Sequence, residues 1–267
     1  MRIPFVKMHG AGNDFILIDD REGAFPTDPA LIATIGARGT GIGCEGVILV
    51  QKSATADFRM RFFNPDGSEA ELCGNGARCV AAFAREIGAA ESDSMRFETL
   101  AGEIRAEIVR PGLVKVRMPD PKDLREDFVN SGVPHKIVPV RDLAATDVVG
   151  EGCRIRHADE FAPAGTNVDF VSYRAPDRAD IRTYERGVEA ETGACGTGAV
   201  AAALVGVAQH GLRFPVAVRT VKGFELVIDG EFDGKDFRSV FLTGPVTRVF
   251  AGEVDLESLD RGTADRR

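Results

Sequence analysis

The sequence predicts an α+β fold built as two similar halves, each strand-rich and each carrying one apolar helix. Three observations predict it. Strand patterns outnumber helical ones along the whole chain. Two stretches match each other: "EAELCGNGARCVAAFA" at 69–84 and "EAETGACGTGAVAAAL" at 189–204, their cysteines 122 residues apart. Each half also ends in a strand and a proline, "VKVRMPDP" and "SVFLTGP". Together these read as a duplication of a unit of about 120 residues. The boundary is expected near 118–123, giving a first domain over 1–118 with Cys73 and a second over 119–267 with Cys195. The last strand, near 246–254, is free to return to the first half.

In chain order, strands are expected at 3–8, 14–19, 47–52, 57–63, 95–99, 103–109 and 113–118, all rich in β-branched or aromatic residues. Phe58, Met60 and Phe62 share one face of theirs, with Arg59 and Arg61 opposite. The second half repeats the pattern at 136–140, 168–173, 181–184, 216–221, 224–228 and 239–242. Asp229-Gly230 and Asp233-Gly234 read as turns. Asp28-Pro29 is an N-cap with proline at the first helical position, predicting a helix over 29–38. Two more helices follow the glycine turns. Val80, Phe83, Ala84 and Ile87 line one and Gly88 stops it; Val200, Ala203, Leu204 and Val207 line the other and Gly211 stops it. Helices this apolar are buried.

The 267 residues are 44% hydrophobic and 28% charged, with a net charge of −8. That balance argues against nucleic acid or an acidic membrane surface as a partner, since both select basic patches. No apolar run approaches the roughly 18 residues of a membrane span. The opening "MRIPFVKMHG" carries no signal-peptide core, so a cytoplasmic location is expected. Five cysteines, an odd number, in a chain of this size read as thiols. Without a CxxC or a zinc-spaced Cys/His cluster, no metal is expected.

In Cys-Gly-x-Gly at a helix start, the thiol lies where orphan backbone N–H groups converge. The helix dipole there favours a thiolate, and the same N–H groups hold a carboxylate. One such turn offers a base and an anion cradle. Two, facing each other across a cleft, offer more: a thiolate removes the proton α to a carboxylate and a thiol on the opposite face returns one, inverting the centre. The reverse reaction swaps the roles, a symmetry that duplicated residues meet. A lone cysteine in a glycine turn is more often a small buried residue, and a lone G-x-G is a weak phosphate signal. The repetition of the cysteine is what favours chemistry.

At these residues the chain resembles the diaminopimelate epimerase family. "FVKMHGAGNDFILID" (5–19), "FFNPDGSEAELCGNGARC" (62–79) and "RTYERGVEAETGACGTGA" (182–199) look like its three signature segments, in order. The resemblance implies two α+β domains, each a curved, mostly antiparallel sheet around its central helix, with the active site in the cleft between them. It implies interconversion of LL- and meso-diaminopimelate without pyridoxal phosphate or any other cofactor, in the route to lysine and peptidoglycan, by a homodimer. Cys73 and Cys195 would be the acid/base pair. Gly74, Asn75, Gly196 and Thr197 would hold the reacting carboxylate. Asn13, Glu45, Asn64, Asn167, Glu185 and Arg186 would bind the rest of the substrate, and His135 and Glu185 would lie near the cysteines and support catalysis. Bidentate Arg186 suits a distal carboxylate; Glu185 and amide carbonyls suit a distal ammonium. Read alone, Asn13 and Asn64 are turn residues, Glu185-Arg186 a solvated strand end and His135 a structural histidine.

The chain departs from the family at three places. Val133 stands where many members have Asn, Glu45 where many have Gln, and the 185–195 segment is one residue longer. Cys44, Cys79 and Cys153 match no catalytic motif and read as structural thiols. Two rivals remain: the same chemistry on proline, hydroxyproline or histidine, and a non-enzymatic protein that binds small anions or nucleotides on its glycine turns.

Overall fold

The computed structural model describes residues 1–174 and 176–259. The chain forms two compact units: Met1–Val116 together with the chain from Val246 onward, and Arg117–Pro245.

In the first unit, β1 (Arg2–Gly10) and β2 (Asn13–Asp19) form an antiparallel hairpin. Helix α1 (Pro29–Gly36) crosses to β3 (Val47–Gln51), parallel to β2. Next, β4 (Phe58–Phe63) and β5 (Glu69–Ala70) pair in antiparallel succession, and α2 (Gly74–Glu86) follows. Then β6 (Ser94–Thr99) joins β4 in parallel, and β7 (Gly102–Arg110) and β8 (Leu113–Arg117) complete a meander. Asp28 caps α1 by accepting from Leu31 N–H at 3.0 Å. The helix stops at Gly36 rather than at residue 38. There Ala37 is already extended (ψ 128°), and the returning loop delivers the N–H groups of Ile42 and Gly43 to the Ile35 carbonyl. β2 is covered on both faces: Phe15 and Leu17 pack on the α2 side with Phe58, Met60 and Val80, while Ile16 and Ile18 pack with Leu31, Ile32 and Ile35 of α1.

After the short β9 (Lys122–Arg125), the second unit runs β10 (Phe128–Asn130), β11 (Pro134–Pro139), α3 (Val148–Arg156), β12 (Asn167–Arg174), β13 (Arg178–Glu185), β14 (Ala190–Thr192), α4 (Gly196–Gln209), β15 (Val216–Arg219), β16 (Glu225–Phe232) and the first part of β17 (Phe237–Asp255), whose remainder belongs to the first unit. The strand senses repeat those of the first unit. β10–β11 is antiparallel, β11–β12 parallel through α3, β12–β13 and β13–β14 antiparallel, β13–β15 parallel through α4, and β15–β16 and β16–β17 antiparallel. The duplication thus includes α3 as the counterpart of α1. No helix was expected at α3; its sequence "VVGEGCRIR" contains two glycines, which disfavour one. Packing requires one of them: a Cβ at Gly152 would stand 2.5 Å from Tyr184 Cβ. Asp147 caps this helix through Gly150 N–H at 2.9 Å.

Two other expectations are corrected. Asp229-Gly230 is not a turn but a register shift inside β16. The two strands expected near the end are one, β17, whose pairing with β16 ends at Thr243 and whose pairing with β1 begins at Val246. The fold is α+β, mostly sheet, with four α-helices among the described residues.

Candidate active site

In the first unit, Cys73 is the N-cap of α2 with extended φ of −128°. Its Sγ donates to Asn13 Oδ1 at 3.7 Å, and Asn75 Nδ2 donates to the same oxygen at 3.3 Å. The Asn13 amide in turn donates to the Glu45 carboxylate. The β1–β2 turn therefore delivers Asn13 onto the cysteine turn and ties Cys73, Asn75 and Glu45 into one network. Around it, Asp14 bridges Lys7 (2.7 Å) and Arg38 (2.6 Å), and Arg38 also reaches Glu45 at 3.6 Å. Partial burial opposes charge on Asp14, but Arg38 and Lys7 outweigh it and hold its carboxyl below the ordinary range. Asn64 is not drawn into this network; its amide bonds Ser68 Oγ at 3.1 Å and its carbonyl closes the 64–67 turn.

Beneath the turn lies Arg78, the largest fully buried side chain of the molecule's described residues. Its Nη2 donates to Asn75 Oδ1 at 2.7 Å and its Nη1 to the Gly74 carbonyl at 3.2 Å.

In the second unit, Cys195 is the N-cap of α4, and its Sγ accepts from Gly198 N–H at 3.4 Å and lies 3.4 Å from Thr197 Oγ1. Thr197 is held from below by a fully buried chain. His135 Nε2 lies 2.9 Å from Thr197 Oγ1, His135 Nδ1 lies 2.6 Å from Asp169 Oδ2, and Thr183 donates to Asp169 Oδ1 at 2.7 Å. Ser131 Oγ fixes the Thr197 carbonyl at 2.8 Å. The helix start was expected to favour a thiolate here. The surroundings reverse that: burial, then the negative charges of Glu185 and Asp169, push the Cys195 thiol well up, against the lesser pull of Thr197 and Gly198.

The second unit also joins Asn167 to Arg186. Asn167 Oδ1 accepts from Arg186 N–H at 2.9 Å, and Asn167 Nδ2 donates to the Pro134 carbonyl at 3.1 Å. Arg186 Nη1 faces the carbonyls of Ala164 and Gly165 at 3.4 and 3.5 Å. Val133 is half-buried in the β10–β11 turn, beside the Ser131 that accompanies Thr197. Cys44 and Cys79 are buried and Cys153 exposed; no disulfide forms among the described residues. Burial pushes the Cys44 thiol up to about 11 and that of Cys79 to about 12, so neither is ionised at neutral pH. No group of three metal-ligating side chains gathers among the described residues, and none of their helices is long and apolar enough to cross a membrane.

Sequence reasoning missed Arg78, Asp169, Thr183 and Ser131. An arginine in the first turns of a helix whose middle is apolar was the one available signal.

The fold is one shared by solved structures that include epimerases and racemases. The structure matches a hydroxyproline epimerase from Agrobacterium vitis with TM-score 0.69 at 18% identity, covering 95% of this chain and 92% of that one. It matches a PhzF-family phenazine biosynthesis protein from Bacillus anthracis with TM-score 0.73 at 18% identity, covering 96% and 99%. The chain belongs to the diaminopimelate epimerase family: the family model "Diaminopimelate epimerase" matches residues 5–123 and 128–249. A relative of that name from Aquifex aeolicus is 44% identical, over 96% of this chain and 99% of its own length.

Proposed function

We propose that this protein is a diaminopimelate epimerase, interconverting LL- and meso-2,6-diaminopimelate with Cys73 and Cys195 as its two bases and without pyridoxal phosphate. One observation carries the reading: each copy of a duplicated fold caps an equivalent helix with a cysteine held in its own polar network. In one direction the Cys73 thiolate takes the α-proton from one face and the Cys195 thiol gives its proton to the carbanion from the other; in reverse the two exchange roles. The pushed-up thiol of Cys195 suits the donor's part.

The N–H groups at Gly74, Asn75, Gly196 and Thr197 hold the reacting carboxylate and the charge that spreads onto it as the proton leaves. Asn13, Glu45, Asn64, Asn167, Glu185 and Arg186 bind the remainder. Arg186 faces the distal carboxylate, and Glu45 and Glu185 face ammonium groups. His135 positions Thr197 and, through it, Cys195. Family membership supports a place in lysine and peptidoglycan precursor synthesis, a cytoplasmic location and a homodimer.

The test is isotope exchange. The reduced enzyme is incubated in D₂O with LL-diaminopimelate, proline, hydroxyproline or histidine, and α-deuterium and stereochemistry are followed. Deuterium and meso product from diaminopimelate alone are expected. Exchange only with proline, hydroxyproline or histidine moves the substrate assignment. Exchange with none leaves a binding protein.

A further inference from the structure

The two cysteine turns are built on opposite buried charges. Aligned on their cysteines, Asn75 matches Thr197, Gly76 matches Gly198 and Arg78 matches Val200. A Cβ at Gly76 would stand 3.0 Å from Ile48 Cδ1, whereas one at Gly198 would stand 2.5 Å from Asp169 Oδ1. Beneath the second glycine there is a hydrocarbon in one half and a carboxylate in the other. Two residues further along the helix, the first half has a guanidinium and the second an isopropyl group.

Arg78 is fully buried, its hydrogen bonds to Gly74 and Asn75 end on neutral oxygens, and its Nε is buried without a hydrogen-bond partner. No ion pair joins it to a carboxylate among the described residues. Of the ionisable groups only the thiols of Cys73 and Cys79 act on it, and the carboxylates around the turn are paired elsewhere. Lys7 of β1 and Arg38 offset Asp14 of β2 and Glu45, and Glu69 of β5 pairs with Arg61 at 2.8 Å. His9 of β1 accepts from Gly12 N–H at 3.3 Å, Glu71 is exposed, and the adjacent Cys79 is a neutral thiol at ordinary pH. A buried cation with this little compensation is costly, and it points its hydrogen bonds into the N-terminal turn of a 13-residue helix, where the dipole already favours an anion.

We propose that Arg78 is a positioning residue for catalysis: it locks Asn75 and Gly74 in the first anion cradle and supplies the buried positive charge that answers the substrate's reacting carboxylate. The first turn is then the stronger anion site, and the second, with Asp169 beneath it, mainly holds its cysteine and threonine in place. This rests on the reading of Cys73 as a base given above. Burial lowers the guanidinium only to about 10, so it keeps its charge at neutral pH.

The experiment compares Arg78→Lys, Arg78→Gln and Arg78→Met with the unaltered enzyme in kcat and KM for LL-diaminopimelate, with folding checked by circular dichroism. Arg78→Gln and Arg78→Met should lose about 100-fold in kcat/KM, as for one donor removed from an oxyanion site, with most of the loss in kcat. Arg78→Lys, which keeps the charge but not the planar fork, should recover at least about tenfold over Arg78→Gln. Folded Lys and Gln variants of equal activity, or a Met variant within about threefold of the unaltered enzyme, overturn the proposal. If no variant folds, the Nε–H resonance of Arg78 in the unaltered protein decides: a shift on adding diaminopimelate supports the proposal and no shift overturns it. An unaltered enzyme that exchanges no α-proton sinks the functional reading instead, and the exchange assay above detects that separately.

Discussion

Beneath its cysteine turn the first half of the molecule places a buried charge on a helix, as Arg78 in α2; the second places one on a strand, as Asp169 in β12. Both charges reach the same target, the side chain two residues after the cysteine: Asn75 through one guanidinium bond, Thr197 through a histidine. A duplicated backbone therefore holds its two cysteines by different chemistry. On the two-base proposal, mirror-related faces need like geometry while the charge that appears on the substrate's carboxylate is single; one cationic and one anionic support answer both demands.

Substitution at Asp169 probes that comparison with the largest expected effect. Asp169→Ala leaves His135 and Thr183 buried without their acceptor, and should cost about 3–5 kcal/mol in urea denaturation. Asn75→Ala, between Arg78 and Asn13 in the first network, removes one neutral amide and should cost about 1–3 kcal/mol. Equal costs would break the claim that the second half depends on Asp169 as a buried acceptor.

A smaller effect sharpens the comparison at the next helical position, where Cys79 of α2 matches Ala201 of α4. An unfolded thiol ionises near pH ~8.5, whereas buried Cys79 keeps its proton up to about 12. Above the unfolded value the unfolded chain binds fewer protons than the folded one, so this stability is complete below pH ~8.5 and falls as pH rises, by about 1.4 kcal/mol per unit. Cys79→Ala should flatten the decline in unfolding free energy between pH 9 and 10.5 by about that slope. An unchanged slope would mean that the thiol ionises early in the folded state.

The smallest effect concerns what the halves share. Arg61–Glu69 joins β4 to β5 at 2.8 Å, and Arg182–Glu191 joins β13 to β14 at 2.7 Å. Arg61→Ala should cost under about 1 kcal/mol, as partly exposed pairs do. Arg182→Ala should cost more, because Arg182 Nη1 also donates to the carbonyls of Leu143 and Thr146 at 2.9 and 3.1 Å. Urea midpoints of the two variants check the order.

The duplication was legible because the repeated Cys-Gly-x-Gly survives in the residues themselves. Its full extent was not: α3 matches α1 in topology, yet its Gly152 answers to Tyr184 packing rather than to helix propensity. "TGP" read as a strand end because proline lacks an N–H. In the structure β17 continues through it, and the proline falls where the strand changes partner from β16 to β1. The cysteines and Asn75, Thr197, Asn13 and His135 were legible through family motifs, and the networks give each a bonded partner. Arg78 and Asp169 were not, because a charge in a sequence reads as solvent-facing until a neighbour from elsewhere in the chain buries it.

The central claim is that two separately supported cysteines act as two bases on one α-carbon. The most direct test is the position of the label in the first turnovers of LL-diaminopimelate in D₂O. Two bases predict meso product carrying one α-deuterium while the remaining LL substrate stays protiated, with Cys73→Ala and Cys195→Ala each abolishing the conversion. Deuterium entering substrate and product equally from the outset, or conversion that survives loss of either cysteine, would contradict it.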